Sequence, residues 1–233
     1  MKVCVVGIDD FSFGKHRYED PRVEKISQKF HPEHIAHTFI DFITFQEKDL
    51  ADCFVATIEK RLDLIIEDIS LSESRILKSD IQEEKDLFAK CKNFLEQETT
   101  LDQVEFSDRE KQLLSNFHLL TLKPIYWTEK DKVPSLEDLM QECLFMTNTI
   151  FFFTVNQKQL TPWMIRKGTT VVKAAAKIHS DMERGFIRAE VFNCKDLDQF
   201  HNLNEAKTRG FVRVENKDYV VEDGDIIHIR FSV

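Results

Sequence analysis

The chain has 233 residues, a formal net charge of −9 and 42% hydrophobic residues, values typical of a soluble globular protein with two or three compact units. Six Gly and five Pro are too few for long disordered linkers. No apolar run reaches the length of a membrane span, and the apolar start leads directly into a charged loop. These features predict neither a membrane partner nor a secretory signal, so we expect a cytoplasmic protein.

The acidic excess is unevenly distributed along the chain. Residues 150–233 hold 13 Lys+Arg and 11 Asp+Glu, whereas residues 1–149 hold 19 and 30. The first part is predicted to repel polyanions, while the second can contact them locally. An ordinary solvated acidic surface is the alternative for the first part. Five scattered cysteines without a CxxC pair predict reduced thiols in the core.

Hydrophobic periodicity predicts an alternation of strands and helices in the first half. A buried strand over 2–8, a polar loop over 9–20, a helix over 21–30 and a strand over 38–45 come first. Two long amphipathic helices are then predicted over 49–71 and 76–95, separated either at 70–74 or at Ser79-Asp80, and together they indicate an antiparallel helical hairpin. Ser107 and Glu110 form a capping box for a helix that ends near Asn116. A strand over 119–127 and a helix from Ser135 to about Met146 follow.

The pattern becomes β-rich from Thr149 onward. A hairpin is predicted from strands over 151–155 and 160–166, followed by a helix over 171–179 and a strand over 186–192. Residues 195–209 suit short helices or loop. Short strands over 212–214, 219–221 and 225–231 complete the sheet. This order predicts a β-grasp, ubiquitin-like fold.

Three segments of this last part carry a resemblance to a known family: 163–169 (WMIRKGT), 179–191 (HSDMERGFIRAEV) and 217–231 (KDYVVEDGDIIHIRF). They resemble the C-terminal TGS module of the YchF branch of the Obg-type P-loop NTPases. Weaker similarity covers 57–62, which resembles the start of the family's inserted helical domain, and 119–125, which resembles the strand before the base-recognition motif. Segments 20–23 and 38–41 resemble the approach to the DxxG strand.

The resemblance implies a chain of three parts, combining α/β with α+β architecture. A reduced P-loop-type α/β remnant is expected at 1–48 and 117–148, an inserted antiparallel helical hairpin at 49–116, and the TGS domain at 149–233. The chain is shorter than a full member. The difference is expected inside the nucleotide-binding domain, at switch I, the switch II region and at least one strand with its helix.

The phosphate-binding motif of the family is altered in this sequence. A working loop has the form G-x-x-x-x-G-K-[ST], so that consecutive backbone N–H groups surround the phosphates and a hydroxyl binds Mg²⁺. Here six residues separate Gly7 from Gly14, and Lys15 is followed by a histidine. Asp9 and Asp10 place negative charge where phosphate would lie.

The two other nucleotide motifs are altered as well. The DxxG position has Asp41 but Thr44 in place of Gly, and the base-recognition position 127–130 (WTEK) has no Asn. We therefore expect no cofactor and a vestigial nucleotide site at Gly7, Gly14, Lys15 and Asp41. The alternative is a remodelled loop in which Lys15 still holds the phosphate of Mg-ATP or Mg-GTP.

Basic residues in the C-terminal part form the second candidate site: Arg166, Lys167, Lys173, Lys177, Arg184 and Arg188. If they converge, they form a phosphate-binding face. Ordinary surface pairs with Asp181 and Glu183 are the alternative. Because TGS modules occur in proteins tied to translation and YchF-like proteins are associated with ribosomes, the resemblance implies a ribosomal or structured RNA partner.

Other groups of polar residues are more typical of an exposed surface than of a metal or catalytic site. His31, His34 and His37 have spacing that suits a transition metal only on one continuous helix, which Pro32 makes doubtful. An acidic group at 9–10 and 19–20 lacks the spacing of a calcium loop. No metal site is predicted, and His228 is expected on the outer face of the last strand.

The predicted function is therefore that of a non-catalytic pseudo-NTPase, which acts as a translation-associated RNA- or ribosome-binding or adaptor protein. A residual ATP- or GTP-binding switch that uses Lys15 is the first alternative. The second is a protein–protein module, in which a Phe-rich remnant exposes an apolar patch and forms a homodimer or binds another protein.

Overall fold

A computed structural model describes residues 1–232 of the chain. Eleven strands and eight α-helices lie in this part. The N-terminal elements are β1 (Lys2–Val6), β2 (Gly14–Tyr18), α1 (Arg22–Phe30), β3 (His34–Ile35), β4 (Thr38–Ile43), β5 (Cys53–Thr57), α2 (Arg61–Lys78), α3 (Gln82–Glu96), α4 (Asp108–Leu114), β6 (Ile125–Thr128) and α5 (Leu136–Met146). The C-terminal elements are β7 (Thr149–Val155), β8 (Gln159–Arg166), α6 (Val171–Ile178), α7 (Ser180–Arg184), β9 (Phe186–Asn193), α8 (Leu203–Thr208), β10 (Arg213–Glu215) and β11 (Asp225–Phe231).

The chain divides into two compact units. The first consists of Met1–His16 and Ile40–Thr147, and the second of Arg17–Phe39 together with the chain from Asn148 onward. The three-part division of the sequence stays a prediction, since the predicted helical insertion falls within the first unit. Residues 17–39, predicted to belong to the α/β remnant, are grouped with the C-terminal segment.

The first unit contains a sheet in the order β2-β4-β1-β5-β6. Strand β1 pairs in parallel with β4 and β5, and β5 pairs in parallel with β6. Every residue of β5 is buried, which is typical of a central strand covered on both faces. The carboxyl ends of β1, β5 and β6 therefore meet at one edge of the sheet.

Three predicted elements of this unit are wrong in part. The predicted loop over 9–20 contains strand β2, whose polar sequence GKHRY gives no apolar run. The predicted helix over 49–71 begins only at Arg61, because 53–57 form β5. The predicted strand over 119–127 is confined to β6, since the backbone N–H groups of Leu120 and Thr121 donate to Asp68 at 2.8 and 2.7 Å and hold a turn there.

Helices α2 and α3 run antiparallel beside each other. Ser79-Asp80 separates them, at one of the two predicted positions. Arg75 donates to Glu84 near the connection, and an apolar cluster that includes Phe88 joins the pair. The capping box at Ser107 and Glu110 is confirmed, with both of its hydrogen bonds present, as is the Ser135 cap of α5.

The second unit is built on a sheet in the order β10-β9-β11-β7-β8-β3. Helix α6 packs on one face through Ala174 and Ala175, which join a core containing Ala189 and Val191. On the opposite face, the guanidinium of Arg22 lies 5.4 Å from the ring centroid of Phe153. Helix α1 contributes Phe30 there, 6.0 Å from the ring of Phe192. Helices thus cover both faces.

The predicted hairpin of β7 and β8 is confirmed by seven paired residues on each strand, and His228 is exposed as predicted. The predicted strand over 219–221 is wrong: Val220 forms only an isolated bridge with Thr170. Its neighbour Tyr219 is held in a turn, since its backbone N–H donates to Asn216.

An ion pair and strand pairing attach residues 17–39 to the rest of the second unit. Arg22 donates to Asp20 at 2.6 Å and to Asp223 at 2.7 Å. Residues of β3 pair in parallel with β8, His34 opposite Gln159. The segment therefore supplies both a covering helix and an edge strand to the C-terminal sheet.

Together the two sheets and their helices form a mixed α/β fold. In residues 1–232, none of the helices combines the length and the apolar sequence needed to cross a membrane.

Candidate functional site

The carboxyl edge of the first sheet has a cavity of about 360 Å³. Open parallel sheets bind their ligands at this edge. The loop after β1 and the segment after β6 form its walls, which are lined by Ile8, Asp9, Asp10, Phe11, Ser12, Lys130, Val133, Pro134, Leu136 and Leu139. Apart from four polar residues, the lining is apolar.

The loop after β1 turns sharply at Gly7, which has a φ of +79°. A Cβ at this position would lie 2.5 Å from Thr57 Oγ1 and 2.6 Å from Lys60 Cγ, so no larger residue fits. The chain then reaches Gly14 and continues as strand β2. In a phosphate loop a helix follows, and its N–H groups and dipole point at the phosphate. This loop has no such helix terminus.

The charges at the edge disfavour a polyphosphate. Asp9 and Asp10 are both exposed. Lys130 Nζ pairs with Asp9 at 2.6 Å, and this hydrogen bond raises the pKa of Lys130. Lys15 lies exposed on β2. The ammonium of Lys130 neutralises only one of the two carboxylates. The net charge at the edge is therefore negative, which repels a phosphate anion.

The four residues predicted as a vestigial nucleotide site do not come together. Gly7 follows the carboxyl end of β1, whereas Asp41 pairs with Lys2 at the amino end of the same strand. Five residues of extended chain separate these two levels by about 16 Å. Gly14 and Lys15 lie on β2, which β4 separates from β1.

At the predicted base-recognition position, the Thr128 side chain is engaged by the neighbouring backbone. Thr128 Oγ donates to the carbonyl oxygens of Glu129 and Lys132, at 3.1 and 3.2 Å. The side chain at this point thus stabilises the turn after β6.

The histidine and acidic groups weighed for metal binding are spread over several elements. His31 ends α1 with a φ of +47°, His34 lies on β3, and Asp20 is buried against Arg22. Among residues 1–232, no three His, Cys, Asp or Glu side chains are placed to hold a metal ion.

The basic residues of the C-terminal part divide between surfaces. Lys173 pairs with Glu183 at 2.9 Å, which raises its pKa, and Arg184 pairs with Asp181 and lowers the pKa of that carboxyl. Arg188 precedes Ala189, whose side chain joins the core under α6, so Arg188 lies on the opposite face of the sheet.

Lys167 and Lys177 are exposed and make no ion pair with a described residue, and Arg166 lies exposed at the end of β8. Lys177 lies on α6 and Lys167 in the turn after β8, and both are open to solvent.

The structure also brings together three residues that the sequence analysis missed. Glu190 of β9 accepts from Lys207 of α8 at 2.9 Å and from Arg230 of β11. They lie beside a second cavity, of about 410 Å³, in the second unit. Separations of 17 residues or more in the sequence gave no signal for this cluster.

Comparisons with known proteins agree with this architecture. The YchF-GTPase_C family model, described as a protein of unknown function (DUF933), matches residues 149–232. The chain is similar to the ribosome-binding ATPase YchF of Buchnera aphidicola subsp. Acyrthosiphon pisum, 29% identical over 232 residues, with 73% of this chain and 64% of the relative covered. It is 44% identical over 100 residues to the ribosome-binding ATPase YchF of Haemophilus influenzae, with 43% and 28% covered. The chain thus spans less than two thirds of these relatives.

The fold is similar to the solved structure of the Schizosaccharomyces pombe YchF GTPase, with a TM-score of 0.84 and 16% sequence identity. The match covers 99% of this chain and 97% of that chain. The mixed α/β architecture is therefore that of a known fold.

Proposed function

We propose that this chain, which is similar to YchF proteins in sequence and fold, is a YchF-like, Obg-related non-catalytic pseudo-NTPase that binds the ribosome or structured RNA in the cytoplasm. In this proposal the first unit is a reduced nucleotide-binding domain with an inserted helical hairpin. The second unit carries a TGS-type β-grasp module. Binding needs neither Mg-ATP nor Mg-GTP.

The loss of nucleotide control is supported by one observation above all: the loop after β1 continues into a strand. Without a helix N-terminus, the loop has no row of N–H groups for a phosphate. The exposed carboxylates of Asp9 and Asp10 add repulsion. Loss of the Mg²⁺-binding hydroxyl after Lys15 acts in the same direction.

The ribosomal partner is supported by the names of the relatives, which are ribosome-binding ATPases. The Haemophilus protein is 44% identical to this chain over 100 residues, and the family model matches residues 149–232. Exposed Lys167 and Lys177 of this segment make no ion pair with a described residue, so they are available for phosphate contacts.

Calorimetry tests the first half of the proposal. We expect no heat of binding from Mg-ATP or Mg-GTP up to about 1 mM, an affinity at which binding is worth only about 4 kcal/mol. Binding that disappears in Lys15→Ala would establish the residual switch instead. A mass in solution of twice the monomer value at micromolar concentration would favour the alternative of a protein–protein module that forms a homodimer.

Cosedimentation with purified ribosomes tests the second half. Lys167→Glu/Lys177→Glu is expected to weaken ribosome binding at least about tenfold, since two phosphate contacts are replaced by repulsion. The matched control Lys111→Glu/Lys132→Glu changes the net charge equally, at exposed positions of the first unit. Equal losses in both variants, or no wild-type binding, would contradict the proposed surface.

A further inference from the structure

The cavity of about 410 Å³ in the second unit lies on the sheet face opposite α6. Its volume is within the range of pockets that hold small ligands. The apolar walls are Phe30 of α1, Phe192 of β9, Ile226 of β11 and Leu203 of α8. Leu203 is 40% exposed, so the wall that it forms is reached directly from solvent.

The rim of this cavity carries a small, defined charge. Glu190 accepts from Lys207 Nζ at 2.9 Å and from Arg230, and its side chain is only 14% exposed. Two cations thus share one carboxylate. Lys207, Arg230 and Glu190 together leave a surplus of one positive charge at the rim.

A ligand that fits must match both the apolar walls and this surplus. Covering the walls removes apolar surface from water, which is favourable. A single carboxylate can accept from the Arg230 guanidinium in a charge-assisted bond while Lys207 stays on Glu190. A polyphosphate does not fit, because its second and third charges would face the Glu190 carboxylate with no further cation at the rim.

We propose that this groove binds a small carboxylic acid with one negative charge and a ring-sized apolar body. The body packs between Phe30, Phe192 and Leu203, and the carboxylate accepts from Arg230. This site is independent of the proposed loss of nucleotide binding and of the ribosomal partner.

The test compares two probes of equal size, 2-naphthoate and the neutral 2-naphthalenemethanol, by calorimetry on the whole chain. We expect naphthoate to bind with a Kd below about 1 mM and the alcohol to bind about tenfold more weakly, the effect of one charge-assisted hydrogen bond. Equal affinities for the two probes, or no binding of naphthoate at several millimolar, would overturn the proposal.

Variants locate the binding. Arg230→Gln is expected to remove the difference between the probes, and Leu203→Trp to abolish binding of both by filling the groove. Lys217→Gln, at an exposed turn away from the rim, should leave both affinities unchanged. If Leu203→Trp fails to fold by circular dichroism, Val212→Trp fills the same cavity. Unchanged naphthoate binding in a folded filling variant would place the probe elsewhere and refute the site.

Discussion

Acidic residues have opposite roles at the edge of the first sheet and in the interior of the second unit. At the edge of the first sheet, Asp9 and Asp10 are exposed, and the ion pair of Asp9 with Lys130 lies in solvent. In the second unit, Asp225 is completely buried and accepts from Asn193, Tyr219 and the backbone of Glu222. The first group sets the charge that a ligand meets at the surface. The second group stabilises the fold through buried hydrogen bonds.

The core of the first sheet is independent of the polar loop that follows β1. The strands beneath the loop after β1 are packed through apolar residues such as Cys4, Val6 and Phe54, which do not depend on any ligand. The polar residues of the second unit bond one another, so changing one leaves buried donors without partners.

The largest effect is expected from Asp225→Ala. It removes the acceptor of three hydrogen bonds at 3.1, 2.7 and 2.9 Å, and should lower the free energy of unfolding by about 4 kcal/mol. Asp9→Ala, its counterpart at the exposed edge, should change that energy by less than about 0.5 kcal/mol. Urea denaturation measures both. Similar losses in the two variants would contradict the contrast between the exposed edge and the buried interior.

A smaller loss is expected from Asp68→Ala, which removes a buried carboxylate of the first unit. Asp68 accepts from the backbone of Leu120 and Thr121 and from the Thr121 hydroxyl, so its removal should cost about 3 kcal/mol. The neighbouring Glu67 pairs with Lys48 at the surface, and Glu67→Ala should cost about 0.5 kcal/mol or less. Equal costs would mean that the turn after α4 does not depend on this carboxylate.

The smallest difference between the units is expected in thiol reactivity. Burial raises the pKa of Cys4 and Cys91 in the first unit, and of Cys194 in the second, to about 12. At pH 8 about one thiol in ten thousand is then ionised, and only the thiolate reacts. Ellman's reagent should label the native chain at least about a hundredfold more slowly than the chain in urea. Rapid labelling confined to one unit would show that this unit opens readily.

Short-range sequence patterns made much of the second unit predictable. The hairpin of β7 and β8, helix α6 and the last strand all follow from short-range patterns. The cap at Ser107 is equally local. Where one residue fixes its neighbours, the sequence is sufficient.

The failures have physical causes of their own. Strand β5 is buried on both faces and so lacks alternation, while Leu50, Phe54 and Ile58 are spaced as on a helix. Strand β2 is polar, since it lies at the edge of its sheet. The spacing of Gly7, Gly14 and Lys15 could be read from the sequence, but strand β2 could not be predicted from it. The groove beside Glu190 depends on five distant elements and has no local pattern.

The attachment of residues 17–39 to the second unit has a consequence for synthesis. Arg22 and Asp223, which pair at 2.7 Å, are 201 residues apart. At 5–20 residues per second, Arg22 waits on the order of 10–40 s for its partner to be made. The first unit is complete at Thr147, so it can fold while α1 and β3 are still without their sheet. During that interval the segment must stay in solution, with its apolar side uncovered.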